Sequence, residues 1–250
     1  MTVALLAAAA FLAGWIDAVV GGGGLVLIPV LLSTTGMAPA SALATNKIAA
    51  VTGTASAALT MVRKVGVPRH TWLMALVAFA LSACGALAVS LIPASVIRPF
   101  IIVLLLAVGV FVALKPSFGM QEGESVVTGR RVALGVLLAA AVGFYDGIFG
   151  PGTGMFLIMG LTAIFSQAFL RSAAMAKVIN TATNLGALLV FIAGGFVVWK
   201  LALALAVANV AGAQLGARTV LAGGSKLVRA ALLILVVVLC ARLGWQELHA

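Results

Sequence analysis

Residues 13–32 read AGWIDAVVGGGGLVLIPVLL, an apolar run that holds a single carboxylate and is interrupted by four consecutive glycines. Glycine is a poor helix residue because fixing its backbone costs more entropy than fixing any other residue, so the run predicts a break in a helical segment. The whole apolar segment covers 3–33. As one helix of about 31 residues it would be about 46 Å long, too long for a bilayer core of about 30 Å yet too short for two full crossings. We therefore predict two half-helices that meet at the glycines.

The composition excludes a soluble globular domain. The 250 residues are 64% hydrophobic and 8% charged with a mean hydropathy of +1.29, whereas soluble domains have about 25% charged residues. Apolar segments lie at about 3–33, 41–62, 71–92, 95–115, 131–165, 172–194, 200–218 and 227–244. They are continuous and lack the period-two alternation of a membrane barrel, so they predict an all-α, polytopic membrane protein. No basic residue precedes the first segment, which predicts that it is retained and is not a cleaved signal peptide.

The second half of the chain repeats the first. Residues 142–161, VGFYDGIFGPGTGMFLIMGL, match 13–32, and residues 174–189, AMAKVINTATNLGALL, match ATNKIAAVTGTASAAL at 44–59. The matched residues are Asp17 and Asp146, Gly21 and Gly150, Gly23 and Gly152, and Lys47 and Lys177. Duplicated units with glycine-interrupted segments at corresponding positions are typical of secondary transporters. The alternative is that these glycines only permit close packing of helices.

A polar connection divides the two copies. We predict a first transmembrane repeat at 1–115, a cytoplasmic linker at 116–130 and a second transmembrane repeat at 131–250. Each repeat is predicted to hold one glycine-broken segment and three transmembrane helices.

The basic residues predict that the two repeats are inverted relative to each other. If each broken segment is a re-entrant hairpin, eleven Lys and Arg residues fall on one side of the membrane and four on the other. The eleven are Arg63, Lys64, Arg69, Lys115, Arg130, Arg131, Arg171, Lys177, Arg218, Lys226 and Arg229, and the four are Lys47, Arg98, Lys200 and Arg242. Basic loops face the cytoplasm, so the first side is cytoplasmic and both termini are outside. If each broken segment were instead a single crossing, basic clusters would face both sides.

The duplicated set of motifs resembles the TauE/SafE sulfite exporter family, also called the toluene-sulfonate uptake permease family. The resemblance rests on the paired glycine-rich breaks, the Asp before each break and the lysine-containing segments at 44–59 and 174–189, and it covers essentially the whole chain. It implies an inner-membrane protein that transports a small anion, typically sulfite or a sulfur-containing organic acid such as a sulfonate. It does not fix the substrate, because members of the family differ in what they carry.

The chemistry of the breaks suits an anion. A half-helix that begins after a glycine turn, here from Leu25 or Met155, directs free N–H groups and the positive end of its dipole at the break. Lys47 and Lys177 could neutralise the anion, although each could instead extend to the membrane interface. The predicted substrate-binding residues are Gly21, Gly22, Gly23, Gly24, Asn46, Lys47, Thr52, Gly150, Gly152, Thr153, Gly154, Lys177, Asn180 and Asn184.

Asp17 and Asp146 are two of only five acidic residues, and both are embedded in apolar sequence. A carboxylate inside a membrane is costly and is a functional residue by default. One role is coupling to a proton or another cation, and the other is structural, through capping of a helix or pairing with a lysine. The sequence leaves both open.

Other classes of function fit less well. An intramembrane enzyme is not predicted, because the sequence has no HExxH, no GxSxG and no buried histidine. No cofactor and no metal site are predicted, since Cys84 and Cys240 stand alone in apolar segments. The basic residues lie between apolar runs, which indicates membrane orientation and no nucleic acid. We predict a secondary transporter, driven by an ion gradient, whose partners are a small anionic solute and the lipid bilayer. The alternatives are an anion channel or an uptake permease for another small oxyanion or carboxylate, and the oligomeric state is open.

Overall fold

A computed structural model describes residues 2–88 and 127–248, and these residues form eight helices. The helices are α1 (Thr2–Val20), α2 (Gly24–Thr35), α3 (Pro39–Val65), α4 (His70–Ala88), α5 (Gly129–Ile148), α6 (Thr153–Phe165), α7 (Phe169–Ala193) and α8 (Trp199–Leu248). There is no strand in these ranges, which confirms the all-helical prediction. The predicted segment 95–115 and most of the predicted linker 116–130 lie outside the described residues.

Within residues 2–88 and 127–248, five helices are long and apolar enough to cross a membrane: α1, α4, α5, α7 and the first part of α8, Trp199–Gly224. That first part ends at Gly224, whose φ of 59° and ψ of −157° are not helical. α3 has 27 residues but is less apolar than these five, and α2 and α6 are short apolar helices. These lengths and compositions support a multi-pass membrane protein.

Each half begins with a long helix followed by a short helix that folds back along it. α2 returns along α1, so that Gly23 lies against the main chain of Ala13. α6 returns along α5, where Gly160 faces Leu138, and the rings of Phe156 and Tyr145 meet edge to face at 5.6 Å. We call these two helix pairs the first hairpin, α1 with α2, and the second hairpin, α5 with α6.

The arms of the hairpins are unequal. α1 has 19 residues and α5 has 20, whereas α2 has 12 and α6 has 13. The first arm of each hairpin is therefore longer than the half-helix that the length argument predicts. The total length of an apolar segment does not show how the segment divides into arms. In addition, α5 begins at Gly129, two residues inside the predicted linker.

The tips of the hairpins are built on glycines with left-handed backbone. Gly21 has a φ of 83°, Gly150 of 91° and Gly152 of 85°. Such angles are costly for residues with a side chain, so glycine is required where each helix stops and the chain reverses.

The two hairpins open toward opposite ends of α3. At the start of α3, Thr45 accepts a hydrogen bond from the backbone N–H of Val198 at 3.3 Å, and only three residues join α2 to α3. At the other end, His70 follows α3 after a short loop and stacks on Phe165, the last residue of α6, with ring centroids 5.0 Å apart. A helix of 27 residues is about 40 Å long, so the ends of α2 and α6 are far apart.

The two halves pack against each other reciprocally. α1 lies along the first part of α8, where Gly212 and Gly216 face the main chain of α1. α5 lies along α4, where Gly143 and Gly147 face the main chain of α4. Small residues let helices approach closely in a membrane, so close packing explains these glycines.

Candidate functional site

The tips of the two hairpins meet. Gly21 of the first tip lies directly against Gly154 of the second, backbone to backbone, and a Cβ added to either residue would overlap the other. Gly24 lies beside Pro151, at the same contact. The absence of side chains at Gly21 and Gly154 is what permits this approach.

A small cavity lies at this meeting point. Its volume is about 20 Å³, which is room for about one water molecule. Residues from both tips and from α3 and α7 line it: Asp17, Gly21, Gly24, Asn46, Lys47, Ala50, Asp146, Gly150, Asn180 and Asn184. The cavity therefore brings together parts of both halves of the chain.

Lys47 of α3 forms an ion pair with Asp146 at the end of α5. Its Nζ is 2.6 Å from a carboxylate oxygen of Asp146 and donates to the main-chain oxygen of the same residue at 2.9 Å. Both side chains are buried, 3% and 2% exposed. The other carboxylate oxygen lies 2.8 Å from the Thr153 hydroxyl, which is also 2.6 Å from the main-chain oxygen of Gly150.

Lys177 of α7 forms the corresponding pair with Asp17 at the end of α1. Its Nζ is 3.0 Å from a carboxylate oxygen of Asp17 and also donates to the main-chain oxygen of Asp17. Lys177 is fully buried, whereas the side chain of Asp17 is 16% exposed. The N–H of Gly23 donates to the second carboxylate oxygen at 3.4 Å.

The pairs cross between the halves. Each lysine pairs with the aspartate of the other half, so the site contains two ammonium groups and two carboxylates that neutralise each other. Neither lysine extends to an exposed surface, which removes the interface alternative. Taking charges out of water costs several kcal/mol per ion, so the crossed pairs make the burial of all four groups possible.

Nine residues that the sequence singled out line the cavity. Asp17, Gly21, Gly24, Asn46, Lys47, Asp146, Gly150, Asn180 and Asn184 are these nine. Lys177 lies behind Asp17, and Thr153 contacts the cavity through Asp146.

The remaining predicted residues lie outside the cavity lining. Gly22, Gly23, Gly152 and Gly154 form the turns and the tip contact. Thr52 donates its hydroxyl to carbonyl oxygens of its own helix, at Ile48 and Ala49.

Two features of the site were not predicted. Ala50 lines the cavity one helical turn after Lys47, a position that helical periodicity indicates even without a polar group. The hydroxyl of Tyr145 donates to the main-chain oxygen of Pro151 at 2.6 Å and so fixes the second tip. A tyrosine directly before Asp146 was the available signal.

Other polar side chains tie helices together. Asn209 of α8 donates to the main-chain oxygen of Ala10 at 3.0 Å, and Gln214 donates to that of Ser56 at 2.9 Å. Ser82 of α4 donates to the main-chain oxygen of Thr183 at 2.7 Å. In residues 2–88 and 127–248, no group of three or more His, Cys, Asp or Glu side chains could hold a metal ion.

The described helices and their buried charged site define the class of the protein as a helical, multi-pass membrane protein. The sequence profile described as "Sulfite exporter TauE/SafE" matches residues 6–243. The chain belongs to the TauE/SafE sulfite exporter family. No solved structure matches the chain significantly.

Curated relatives support this membership. A "Probable membrane transporter protein ORF9" of Sinorhizobium sp is 37% identical over 98% of this chain and 94% of its own length. The "Probable membrane transporter protein YfcA" of Escherichia coli strain K12 is 37% identical over 96% of this chain and 90% of its own length. A "Probable membrane transporter protein" of Haemophilus influenzae is 35% identical over 98% of this chain and 95% of its own length. The family and these names indicate a membrane transporter and not an enzyme.

Proposed function

We propose that this protein is a secondary transporter of the cell inner membrane that carries a small anion, sulfite or an organosulfonate, through the cavity between the two hairpin tips. The observation that carries the proposal is the pair of buried lysines, Lys47 and Lys177, at matched positions of the two halves beside one cavity. Buried cations at a membrane midplane mark a substrate or ion pathway.

The surroundings of the cavity favour an anion over a cation. The short helices α2 and α6 both begin at the tips, so their positive ends lie at the contact. Asn46, Asn180 and Asn184 add side-chain amides to the lining. An amide N–H donates to an oxyanion, as does a lysine ammonium.

The size of the cavity supports alternating access. A volume of about 20 Å³ admits about one water molecule and is too small for sulfite or a sulfonate. We therefore expect the substrate to enter after the tips or the helices around them move apart. Such a movement fits the duplicated hairpins, because the repeats of many secondary transporters rock against each other.

A binding panel on the purified protein tests the choice of substrate. We expect sulfite or ethanesulfonate to raise the melting temperature above that in sodium chloride of the same ionic strength. Ligand at about 100 times its Kd stabilises the folded state by about 2.7 kcal/mol. Sulfate and acetate serve as the competing oxyanion and carboxylate, and the best binder is then measured in liposomes, where a carrier gives saturable flux.

Two outcomes would contradict this proposal. Stabilisation by cations alone, with no difference among anions, would remove the anion site. A steady anion conductance without saturation would replace the carrier with a channel.

We extend the proposal to an inverted arrangement of the two halves. The opposite openings of the two hairpins along α3 support it, as do the basic residues Arg63 and Lys64 in the last turn of α3 and Arg69 in the loop before α4. In this arrangement the loop before α4 faces the cytoplasm, the loop before α8 faces outside, and both termini are outside.

Cysteine labelling tests the inverted arrangement. In a variant in which Cys84 and Cys240 are replaced by Ser, we expect a cysteine at Val198 to react with a membrane-impermeant maleimide in intact cells. A cysteine at Arg69 is expected to react only after the cells are permeabilised, since Arg69 lies in the loop at the other end of α3. Both positions are exposed, which makes them a matched pair. Labelling of both in intact cells would contradict the arrangement.

A further inference from the structure

The net charge of the site determines what must enter together with the anion. Lys47, Asp17 and Asp146 line the cavity and Lys177 lies behind Asp17, so the two ammonium groups and two carboxylates of the site have a net charge of zero. If the proposed function holds, an incoming monovalent anion adds one uncompensated negative charge to a buried site, which is costly. A positive charge that enters with the anion removes that cost.

The two carboxylates differ in exposure and in the distances to their partners. Asp146 is 2% exposed and is bound by Lys47 at 2.6 Å and by the Thr153 hydroxyl at 2.8 Å. Asp17 is 16% exposed, its distance to Lys177 is 3.0 Å, and its other partner is the N–H of Gly23 at 3.4 Å.

The difference has a simple origin in the sequence. Gly23 matches Gly152, so Gly24 stands in the first half where Thr153 stands in the second. Asp17 therefore has no hydroxyl beside its carboxylate, and its side-chain partners lie farther away than those of Asp146.

We propose that one proton enters with each monovalent anion and is held by Asp17, while Asp146 remains the fixed partner of Lys47. The Asp17 carboxylate stands between Lys177 and the cavity. When it takes up the proton it becomes a neutral acid and releases the Lys177 ammonium, which stays protonated and pairs with the anion. The charged groups that face Asp17 across this step are Lys177, Lys47 and Asp146.

A proton fits this role better than a metal ion. The Lys177 ammonium already occupies the side of the Asp17 carboxylate at which a cation would bind, and it would repel one. In the parts of the chain that the structure describes, no group of three or more His, Cys, Asp or Glu side chains is placed to hold a metal ion. A sodium gradient is nevertheless an arm of the test.

The test measures binding of ethanesulfonate as a function of pH. This anion stays ionised across the neutral range, so its own titration does not contribute. In the wild-type protein the Kd is expected to rise by about tenfold per pH unit once Asp17 is deprotonated, which is the dependence for one linked proton. Asp17→Asn is expected to bind ethanesulfonate with no pH dependence, because it is permanently neutral at this position. Thr153→Val, which leaves all four charges in place, is the matched control and is expected to keep the slope of the wild type.

A substitution at Gly24 provides a second test of the role of Asp17. Gly24→Ser adds a hydroxyl at the residue that aligns with Thr153, and a Cβ there makes only ordinary contacts, at 3.4 Å to Ile28 and 3.6 Å to Pro151. A hydroxyl that donates to the Asp17 carboxylate competes with the entering proton, so ethanesulfonate is expected to bind more weakly at neutral pH than to the wild type.

Transport in liposomes completes the test. An inward proton gradient is expected to drive accumulation of ethanesulfonate by the wild type, whereas Asp17→Asn is expected to exchange the anion across the membrane without accumulating it. The proposal is overturned if Asp17→Asn keeps the pH dependence, if folded Thr153→Val loses it, or if a sodium gradient alone drives accumulation. Failure of the proposed function looks different, since the wild type would then neither bind nor move sulfite or any sulfonate.

Discussion

Replacing Lys177 with Met is expected to abolish anion transport and to destabilise the protein. Lys177 is fully buried and pairs with Asp17, so its removal leaves a buried carboxylate without its cation. Breaking a buried pair from one side costs about 3–5 kcal/mol. Lys47→Met is expected to behave in the same way, because it leaves the buried Asp146 carboxylate without its cation.

A double variant separates the two effects. Lys177→Met with Asp17→Asn removes both charges of one pair, and we expect the melting temperature in detergent to return close to that of the wild type. Transport is expected to stay lost, since no ammonium remains to pair with the anion in that half. Loss of a buried charged partner costs about 2 kcal/mol or more, which lowers anion affinity roughly 30-fold or more.

Lys64→Met provides the control for the loss of a lysine. Lys64 lies in the last turn of α3 and is exposed, so its replacement removes a positive charge outside the site. We expect transport close to the wild-type rate. If the stable double variant transported as well as Lys64→Met, the lysine pairs would have no part in anion binding.

Replacing Gly154 with Ala is expected to push the two hairpin tips apart. Gly154 lies in the first turn of α6, and its Cβ would overlap the backbone of Gly21 in the opposite tip. Neither partner is a flexible side chain, so the tips must separate. Overpacking of this kind costs about 1–3 kcal/mol. At Gly21, whose φ is 83°, alanine adds backbone strain of about 1–3 kcal/mol.

Gly129→Ala is the matched control for the tip variants. Gly129 begins α5, and a Cβ there meets no atom within 4 Å. Its melting temperature is expected to match that of the wild type, whereas Gly154→Ala and Gly21→Ala are expected to melt several degrees lower and to lose transport. Wild-type stability of both tip variants would mean that the tips are not in contact.

The sequence contained enough information to find the parts of the site but not their partners. The duplication aligned Asp17 with Asp146 and Lys47 with Lys177, and scarcity of charge in an apolar chain marked all four. That each lysine pairs across the halves could not be predicted, because nothing in one sequence gives the distance between residues about 100 positions or more apart.

Helical periodicity explains part of the difference between the predicted and the observed cavity-lining residues. Thr52 is five residues after Lys47, and five residues turn a helix by about 500°, so the two side chains point about 140° apart. Asn180 and Asn184 follow Lys177 at spacings that return to one face, and both line the cavity. A helical-wheel projection of α3 places Ala50 on the same face as Lys47 and Thr52 on a different face.

The crossed ion pairs also bear on how such a chain could arise. Alone, either half would bury one lysine and one aspartate that have no counterion within that half. An unduplicated ancestor of half this length could satisfy both charges only by dimerising with another copy of itself, each subunit supplying the acid for the other's base.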